Sequence, residues 1–344
     1  MKRLKFGTKD LNIKSDLLAR IVTAAVGSPE MTREAISRSA SVSLSSAGKL
    51  LSALDECSFT EVKYSRSLTV GSPSKRHVFR GGIWLLVLDL SSSVYAAHIV
   101  SCGEHTVITE RHAYDPTLSF EGNLIALLSR IGLKISALPY SVSAICTVTA
   151  DGCENHAAGL RGGVKYLPSQ SDIDTVNAYC ARFFGVMPSF SLTYSQALSC
   201  AEKYNLLCAH NSQGTAYIGL CESARAIYLR KGDSAIPLRV GELMIDGATL
   251  LRDVDISAID SAKAAELIAR LINHVSCAYP ADGFVVEVEL NRFPDISREV
   301  ELILMSLELA VPQILYFDTK SPTAVLGASH ELLTHLICSH LHGT

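Results

Sequence analysis

The sequence lacks an apolar run long enough to cross a membrane. Its longest uninterrupted apolar run extends only from Ile83 to Leu88, far short of the roughly 20 residues that a membrane-spanning helix needs. The first ten residues carry charges but no apolar segment of the kind that a signal peptide requires. These absences predict a cytoplasmic protein that does not bind a membrane.

Paired cysteines are also missing. The ten cysteines are scattered singly between Cys57 and Cys338, and none forms a CxxC pair or lies at zinc-finger spacing. In a chain of this size they indicate buried thiols of a reducing compartment. The sequence has neither a nucleophile-elbow motif nor a Ser-His-Asp order, which excludes the hydrolases that depend on them.

The histidines do not form an obvious metal motif either. Four of the eleven crowd the C-terminal end, and the spacing of His330 and His335 does not fit one face of a helix. We interpret this group as surface and tail side chains. Its members are His330, His335, His340 and His342.

Charged residues are scarce, at 19% of the chain, whereas hydrophobic residues make up 48% and the mean hydropathy is +0.24. This composition excludes a disordered chain and supplies enough apolar surface for extensive cores. The length of 344 residues predicts two or three domains.

The charge is divided unevenly along the chain. Residues 1–80 hold 14 Lys and Arg against 7 Asp and Glu, a net charge of +7, whereas the remainder holds 17 against 27, a net charge of -10. A basic head on an acidic body is typical of a nucleic-acid-binding domain carried by another domain. A solvated basic face is the alternative interpretation of the charge alone.

Helical periodicity in the basic head predicts a helix-turn-helix. Residues 16–26 place apolar side chains on one stripe, and Gly27 ends this helix. Thr32 and Ser43 are candidate N-caps of two further helices, at residues 33–39 and 44–56. Because a short turn joins these last two helices, the second of them is the candidate recognition helix.

A β-hairpin wing is predicted after the third helix. The runs 59–64 and 77–79 favour strands, and a polar tip with Gly and Pro joins them. The third helix, the start of the second helix and the wing carry hydroxyls and cations, which are suited to binding phosphates and base edges. A glycine at position 48 would also allow close approach of DNA. The alternative is a three-helix bundle that binds a protein. The predicted DNA contacts are Arg33, Ser43, Ser45, Ser46, Lys49, Arg66, Lys75 and Arg76.

The acidic body contains one α/β pattern twice. Three apolar runs between residues 83 and 110 predict antiparallel strands, and helices and strands then alternate to residue 204. Strands restart at residue 215, and the segment FVVEVEL (284–290) alternates as a half-buried strand would. Helices are predicted from Ser261, over residues 298–309 and over residues 322–341. We therefore predict an α/β body of two similar halves.

The order of these motifs resembles the ROK family of bacterial repressors and sugar kinases. TREAISRSASVSLSSAGKLLSALDECSFTEV is similar, helix for helix, to the DNA-binding head of that family. GVMPSFSLTYSQALSCAE (185–202), RKGDSAIPLRVGELMID (230–246) and VLGASHEL (325–332) are similar to three segments of its body. The resemblance covers nearly the whole chain.

The resemblance implies a winged helix-turn-helix and a duplicated RNase H-like body with the actin-like ATPase fold. We accordingly expect a DNA-binding domain over residues 1–80. The first subdomain would cover residues 81–205, joined by the C-terminal helix at about residues 321–341, and the second would cover residues 206–320.

The sequence departs from the family pattern where phosphoryl transfer would occur. The resemblance places the family's first phosphate loop at residues 89–93, where Asp89 is kept but the glycines are absent. The second falls on residues 221–225, where an acidic side chain replaces glycine. The catalytic Asn-Asp pair falls on Thr193 and Tyr194, and a phenol is a poor base at neutral pH.

The zinc ligands of the family are missing as well. The family's His falls on Ile245, and no Cys follows in the next residues, although zinc needs about four N or S ligands at close spacing. We therefore expect no metal and no cofactor. Glu242 keeps the identity of a sugar-binding residue, and Asp151 lies in a loop on the ligand side. The candidate ligand contacts are Asp89, Asp151, Thr193, Tyr194 and Glu242.

Three functions remain open at this point. The first is a transcriptional regulator, most simply a repressor, which binds double-stranded operator DNA as a homodimer and whose degenerate kinase-like body senses a sugar or a related metabolite. The second is a divergent ATP-dependent carbohydrate kinase with an appended DNA-binding head. The third is a structural dimer whose head binds a protein.

Overall fold

The fold is known from a computed structural model. It describes residues 4–11, 13–28, 31–65, 74–91, 94–102, 107–149, 170–204, 215–219, 227–231, 234–237, 254, 258–279, 281, 283–309, 311–318 and 323–341.

Helices and strands alternate through most of the described residues. The helices are α1 (Ser15–Val26), α2 (Arg33–Ala40), α3 (Leu44–Glu56), α4 (Phe120–Ser136), α5 (Gln170–Phe184), α6 (Tyr194–Lys203), α7 (Ser261–Ala278), α8 (Ile296–Ser306) and α9 (Thr323–Leu341). The strands are β1 (Thr60–Ser65), β2 (Ser74–Phe79), β3 (Trp84–Leu90), β4 (Val94–Ser101), β5 (Val107–Ala113), β6 (Ala144–Thr149), β7 (Pro188–Thr193), β8 (Thr215–Gly219), β9 (Ile227–Lys231), β10 (Ser234–Pro237), β11 (Gly283–Val288) and β12 (Gln313–Asp318).

The N-terminal head is a three-helix unit with an antiparallel β1–β2 hairpin. Both predicted caps are present, since Thr32 Oγ1 accepts a hydrogen bond from the Ala35 amide at 3.2 Å and Ser43 Oγ accepts one from the Ser46 amide at 3.1 Å. Each hydroxyl satisfies a backbone donor that the first helical turn leaves unpaired. The head therefore has the winged helix-turn-helix arrangement that the sequence predicted.

The first subdomain is built on a five-stranded sheet in the order β5-β4-β3-β6-β7. β3, β4 and β5 are antiparallel to one another, whereas β6 and β7 run parallel to β3. One face of this sheet is covered by α4 and α5, and the other packs in one continuous apolar cluster with α6, α9 and the head.

The second subdomain has the corresponding order β10-β9-β8-β11-β12. Its strands β8, β11 and β12 are parallel, and α7 and α8 cover one face. Tyr217 and Val285 on the other face belong to the same apolar cluster as α6 and α9. The two similar halves that the sequence predicted are therefore present, and these two helices lie between them.

Helix α9 connects the head with the first subdomain. It packs against α6 and against β3 and β6 of the first sheet, and it also contacts α1 of the head. Its crossing with α6 is very close, because a Cβ built on Gly327 would lie 2.3 Å from the Ala197 carbonyl oxygen and 2.4 Å from the Ala201 amide nitrogen. Only glycine permits this approach of the two backbones.

Some sequence-based expectations were wrong in detail. The helix predicted over 298–309 spans Ile296–Ser306, and β2 begins at Ser74 rather than at residue 77. Strand β10 was not predicted. β11 does not alternate between buried and exposed positions, because Gly283–Val288 is buried throughout. No helix of the described residues is long and apolar enough to cross a membrane.

The C-terminal histidines are not all surface side chains. His340 packs edge-on against Phe6 and Phe59, and the ring of His330 lies 5.4 Å from that of Tyr204. The exposed His335 fits the expectation better, although its ring also touches that of Phe190. His342 lies outside the described residues.

Candidate nucleic-acid interface and the site between the subdomains

The outward face of α3 presents hydroxyls and one cation. Ser43, Ser45 and Lys49 are exposed, whereas Ser46 is half-buried. The Ser43 hydroxyl already caps the helix and lies 3.0 Å from the Ser46 hydroxyl. Of the four predicted contacts on this helix, Ser45 and Lys49 are therefore the most available to a partner.

Arg33, at the start of α2, lies directly over Gly48 of α3. A Cβ built on Gly48 would approach Arg33 Nε at 3.0 Å and Cζ at 3.2 Å. The glycine therefore makes room for a guanidinium, and close approach of DNA at this position stays a prediction. Arg33 is exposed, so the missing side chain lets a cation lie against the recognition helix.

A buried polar cluster fixes the wing to α3. His77 on β2 lies with its Nδ1 3.1 Å from Asp55 Oδ1, and the Thr60 hydroxyl donates to the same carboxylate oxygen. The His77 amide also donates to the carbonyl of Met31 at 3.1 Å. These contacts hold β1 and β2 against α3, so the wing and α3 are neighbouring parts of the surface of the head.

The wing contributes cations to that surface. Lys75 is exposed and Arg76 is half-buried, whereas Arg66 lies outside the described residues. Sequence reasoning missed Lys63, which pairs across the hairpin with Arg76 and was detectable because it lies in a predicted strand. Tyr64 is 69% exposed beside it, so the described part of the wing offers an aromatic ring among its cations.

In the body, Tyr194 joins the two subdomains. It is the first residue of α6, and its phenol donates to Glu287 of β11, with distances of 2.6 Å and 2.7 Å to the two carboxyl oxygens. The carboxyl group is 2% exposed. At the position where the family resemblance places a catalytic base, this chain has a phenol already bonded to the opposite subdomain.

Thr193 has a structural role at the start of α6. Its hydroxyl accepts a hydrogen bond from the Gln196 amide at 3.3 Å, while Gln196 Oε1 accepts one from the Thr193 amide at 2.8 Å. This reciprocal pair is a capping box. It orients the first turn of α6 and hence the phenol of Tyr194.

Asp89 lies near the end of β3 and is half-buried. Its Oδ1 accepts hydrogen bonds from the amide and the hydroxyl of Ser91, at 3.0 Å and 2.6 Å. Asp151 and Glu242, the other two predicted ligand contacts, lie outside the described residues. Of the five candidates, Thr193 and Tyr194 are thus adjacent at the junction of the subdomains.

A buried histidine that sequence reasoning missed lies on the same sheet as Asp89. His98 on β4 is 6% exposed, and its Nδ1 lies 3.0 Å from the Thr109 hydroxyl, whereas its Nε2 has no hydrogen-bond partner among the described residues. Burial lowers the pKa of His98, with an opposing influence of Asp89 and a further lowering by Arg111. The alternation of VYAAHIV indicated that His98 shares a face with Val100, but not that this face is buried.

Within the residues that the structure describes, no three His, Cys, Asp or Glu side chains converge as a metal ion would require. The candidate chemistry therefore divides between a basic, hydroxyl-rich face on the head and a buried phenol–carboxyl pair in the body.

Comparison with known proteins supports the architecture. The sequence matches no protein-family model and no curated protein. The fold is similar to that of a ROK family transcriptional regulator described as a homologue of the E. coli MLC protein. That match has 13% identity, covers 95% of this chain and 98% of the other, and has a TM-score of 0.63.

Two structures described as kinases match about three quarters of this chain. A polyphosphate/ATP-glucomannokinase of Arthrobacter sp. strain KM has 16% identity, with 74% of this chain and 99% of the other covered and a TM-score of 0.52. A Listeria monocytogenes protein assigned as an N-acetylmannosamine kinase has 11% identity, the same two coverages and a TM-score of 0.53. The chain thus has the α/β fold of a ROK regulator, with N-terminal helices followed by an actin-like ATPase body of two subdomains.

Proposed function

We propose that this protein is a DNA-binding transcriptional regulator, most simply a repressor. The observation that carries the proposal is the joint surface of α3 and the wing, on which Lys49 and Lys75 are exposed and Arg33 lies over Gly48. Cations and hydroxyls on a helix-turn-helix favour phosphate contacts and base contacts in the major groove. The similarity to a regulator over the full chain supports the same function.

The body of such a regulator would supply dimerisation and sense a small molecule. A homodimer presents two heads to two half-sites of an operator. The similarity of the body to two sugar kinases favours a sugar or a related metabolite as the effector. Binding of that effector would alter the spacing of the heads through the two subdomains.

Fluorescence anisotropy with duplexes tiled across the protein's own upstream region tests DNA binding. The variant Lys49→Ala/Lys75→Ala/Arg76→Ala removes three cations of the proposed surface. We expect wild type to bind one tile tightly and the variant to lose affinity, with a salt slope reduced by up to about 3 because each phosphate contact contributes about 0.9.

The matched control is Arg130→Ala/Arg182→Ala/Arg298→Ala, which removes three exposed cations of the body. This control should keep most of the affinity. Equal loss in the two variants, or the absence of salt-sensitive binding in wild type, would contradict the proposal and favour a head that binds protein.

A carbohydrate kinase is the second candidate, because the body shares its fold with two sugar kinases. The phenol of Tyr194, bonded to Glu287, and the missing glycines of residues 89–93 argue against it, since phosphoryl transfer depends on positioning and charge stabilisation. A coupled assay for ADP release over a panel of sugars separates the two functions. Sugar-dependent turnover would establish the kinase.

A further inference from the structure

The N-terminal segment lies beside the recognition helix. We call residues 4–11 the strap. The Gly7 amide donates to the Cys57 carbonyl at 3.2 Å, just beyond the end of α3, and Lys9 forms an ion pair with Glu56. Phe6 stacks on Phe59 with 4.4 Å between ring centroids. These contacts hold the strap against the head.

The strap is also attached to the body. The Lys9 amide donates to the carbonyl of His340 in α9 at 3.0 Å, and the ring of Phe6 lies edge-on to that of His340 at 5.5 Å. The position of the strap is therefore fixed from two sides, by the end of α3 and by the last helix of the body.

A groove of about 520 Å³ separates the strap from the outward face of α3. We call it the strap groove. Each of its walls provides one cation: Lys9 from the strap, Arg33 from α2 and Lys49 from α3. Asp10 is the carboxylate of its lining. The lining residues are Lys9, Asp10, Leu11, Arg33, Leu44, Ser45, Gly48, Lys49 and Ser52.

We propose that the strap groove seats one sugar-phosphate strand of DNA, so that the strap is part of the DNA-binding surface. Arg33 and Lys49 outnumber the one carboxylate of the lining, while Lys9 adds a cation that is shared with Glu56. This balance suits a phosphodiester strand, and the Ser45 and Ser52 hydroxyls are further donors to phosphate. The groove is continuous with the proposed base-reading side chains Ser45 and Lys49, which favours DNA over an acidic peptide. This inference rests on the proposed function.

Asp10 provides a test in which binding is gained. Asp10→Asn removes the carboxylate from the groove while keeping the size and hydrogen-bonding capacity of the side chain. Since a carboxylate beside a phosphate is repulsive, we expect this variant of the full chain to bind tighter by about three- to tenfold. The probe is a fluorescein-labelled duplex of random sequence, used alongside the tiled duplexes.

Asp16→Asn is the matched control, since Asp16 is exposed in the first turn of α1 and does not line the groove. It removes the same charge from the same head, so long-range attraction to DNA changes by a similar amount. A gain in DNA affinity that is seen with Asp10→Asn but not with Asp16→Asn supports the strap groove. Equal gains in affinity for the two variants overturn the proposal.

A charge inserted at Ser52 provides the opposite test. Ser52→Glu places a carboxylate on the α3 wall of the groove, whereas Ser39→Glu places one at an exposed position of α2 outside the lining. We expect Ser52→Glu to weaken DNA binding by about tenfold and Ser39→Glu to weaken it clearly less. Circular dichroism of each variant confirms that the head is folded.

Photo-crosslinking tests proximity without changing charge. A benzophenone amino acid in place of Leu11 should crosslink to the bound duplex, and one in place of the exposed Leu302 of α8 should not. Wild-type binding combined with failure of either the charge tests or the crosslinking test overturns the strap groove alone. Failure of wild type to bind any duplex overturns the proposed function itself.

Discussion

The phenol of Tyr194 lies within hydrogen-bond distance of both carboxyl oxygens of Glu287, at 2.6 Å and 2.7 Å. The two residues belong to different subdomains, since Tyr194 begins α6 after the last strand of the first sheet and Glu287 lies in β11, an inner strand of the second. Both are at least nine-tenths buried. This bond therefore connects the two halves of the body through groups that water does not reach freely.

Tyr194→Phe should loosen the contact between the subdomains. The change keeps the ring but removes the donor, and a buried group left without its partner costs about 1–3 kcal/mol. We expect the free energy of unfolding in urea to fall by that amount and amide exchange in β11 and in the first turn of α6 to accelerate. Hydrogen exchange followed by mass spectrometry measures the rate of amide exchange in these two segments.

Tyr316→Phe is the control for this prediction. The Tyr316 hydroxyl is buried in the second subdomain and has no hydrogen-bond partner in the part of the chain that the structure describes, so its removal should leave stability unchanged or raise it slightly. Equal destabilisation by the two variants would show that the phenol of Tyr194 contributes nothing beyond its ring.

Gly327→Ala should destabilise the body strongly. The added methyl group would lie 2.3 Å from the backbone of α6, and neither helix can yield without disturbing the apolar cluster. Overpacking of this kind costs typically 1–3 kcal/mol and occasionally more, so we expect a fall of at least about 3 kcal/mol in the free energy of unfolding.

Gly132→Ala in α4 is the matched control for Gly327→Ala, because a Cβ there meets only Phe184 at 4.0 Å. The substitution should stabilise the protein by up to about 1 kcal/mol through helix propensity. A loss of stability as large as that of Gly327→Ala would contradict the role given to the α6–α9 crossing.

Gly48→Ala should separate stability from DNA binding. The alanine favours helix α3 by about 1 kcal/mol and displaces only the flexible end of Arg33, so the thermal midpoint should stay constant or rise. DNA affinity should fall because the guanidinium is moved. If Arg33 acts through this position, Gly48→Ala should add nothing to Arg33→Ala in the anisotropy assay.

His98 should make stability depend on pH. Burial lowers the pKa of His98 in the folded protein, so the unfolded chain binds a proton first as the pH falls through about 6.5. Stability is then complete above that pH and decreases below it, by up to about 1.4 kcal/mol per pH unit. Urea unfolding between pH 7.5 and 5.5 measures this slope.

His98→Gln should reduce the acid dependence, because a neutral amide replaces the imidazole and can still bond to Thr109. His335→Gln, at an exposed position of α9, serves as the control and should leave the slope near that of wild type. An unchanged slope in His98→Gln would mean that other groups determine the acid sensitivity.

Local sequence patterns were sufficient for most elements. The hydroxyls of Thr32 and Ser43 predicted where two helices begin, since caps act over three residues. The period of the apolar residues predicted the helices, the strands and their repetition in two halves. The family resemblance added the winged head and the two-subdomain body, and a solved structure similar over nearly the whole chain has that architecture.

The same patterns misjudged residues whose roles depend on distant neighbours. Glu287 has the spacing of an outward side chain, yet β11 is buried throughout. The sequence showed Gly48 as a glycine in a helix interior, but not that Arg33 of the preceding helix lies over it. The strap drew no prediction, because nothing in residues 4–11 indicates contact with His340 more than 300 positions away.

The sequence by itself determined the basic head, the acidic body and the succession of helices and strands, because capping, periodicity and charge act over a few residues. Only the tertiary structure decided which polar groups meet. Tyr194 and Glu287 are 93 residues apart, and they meet because α6, which crosses α9 closely at Gly327, also packs against the second sheet. Such an approach depends on the packing of the whole body, which no local pattern encodes.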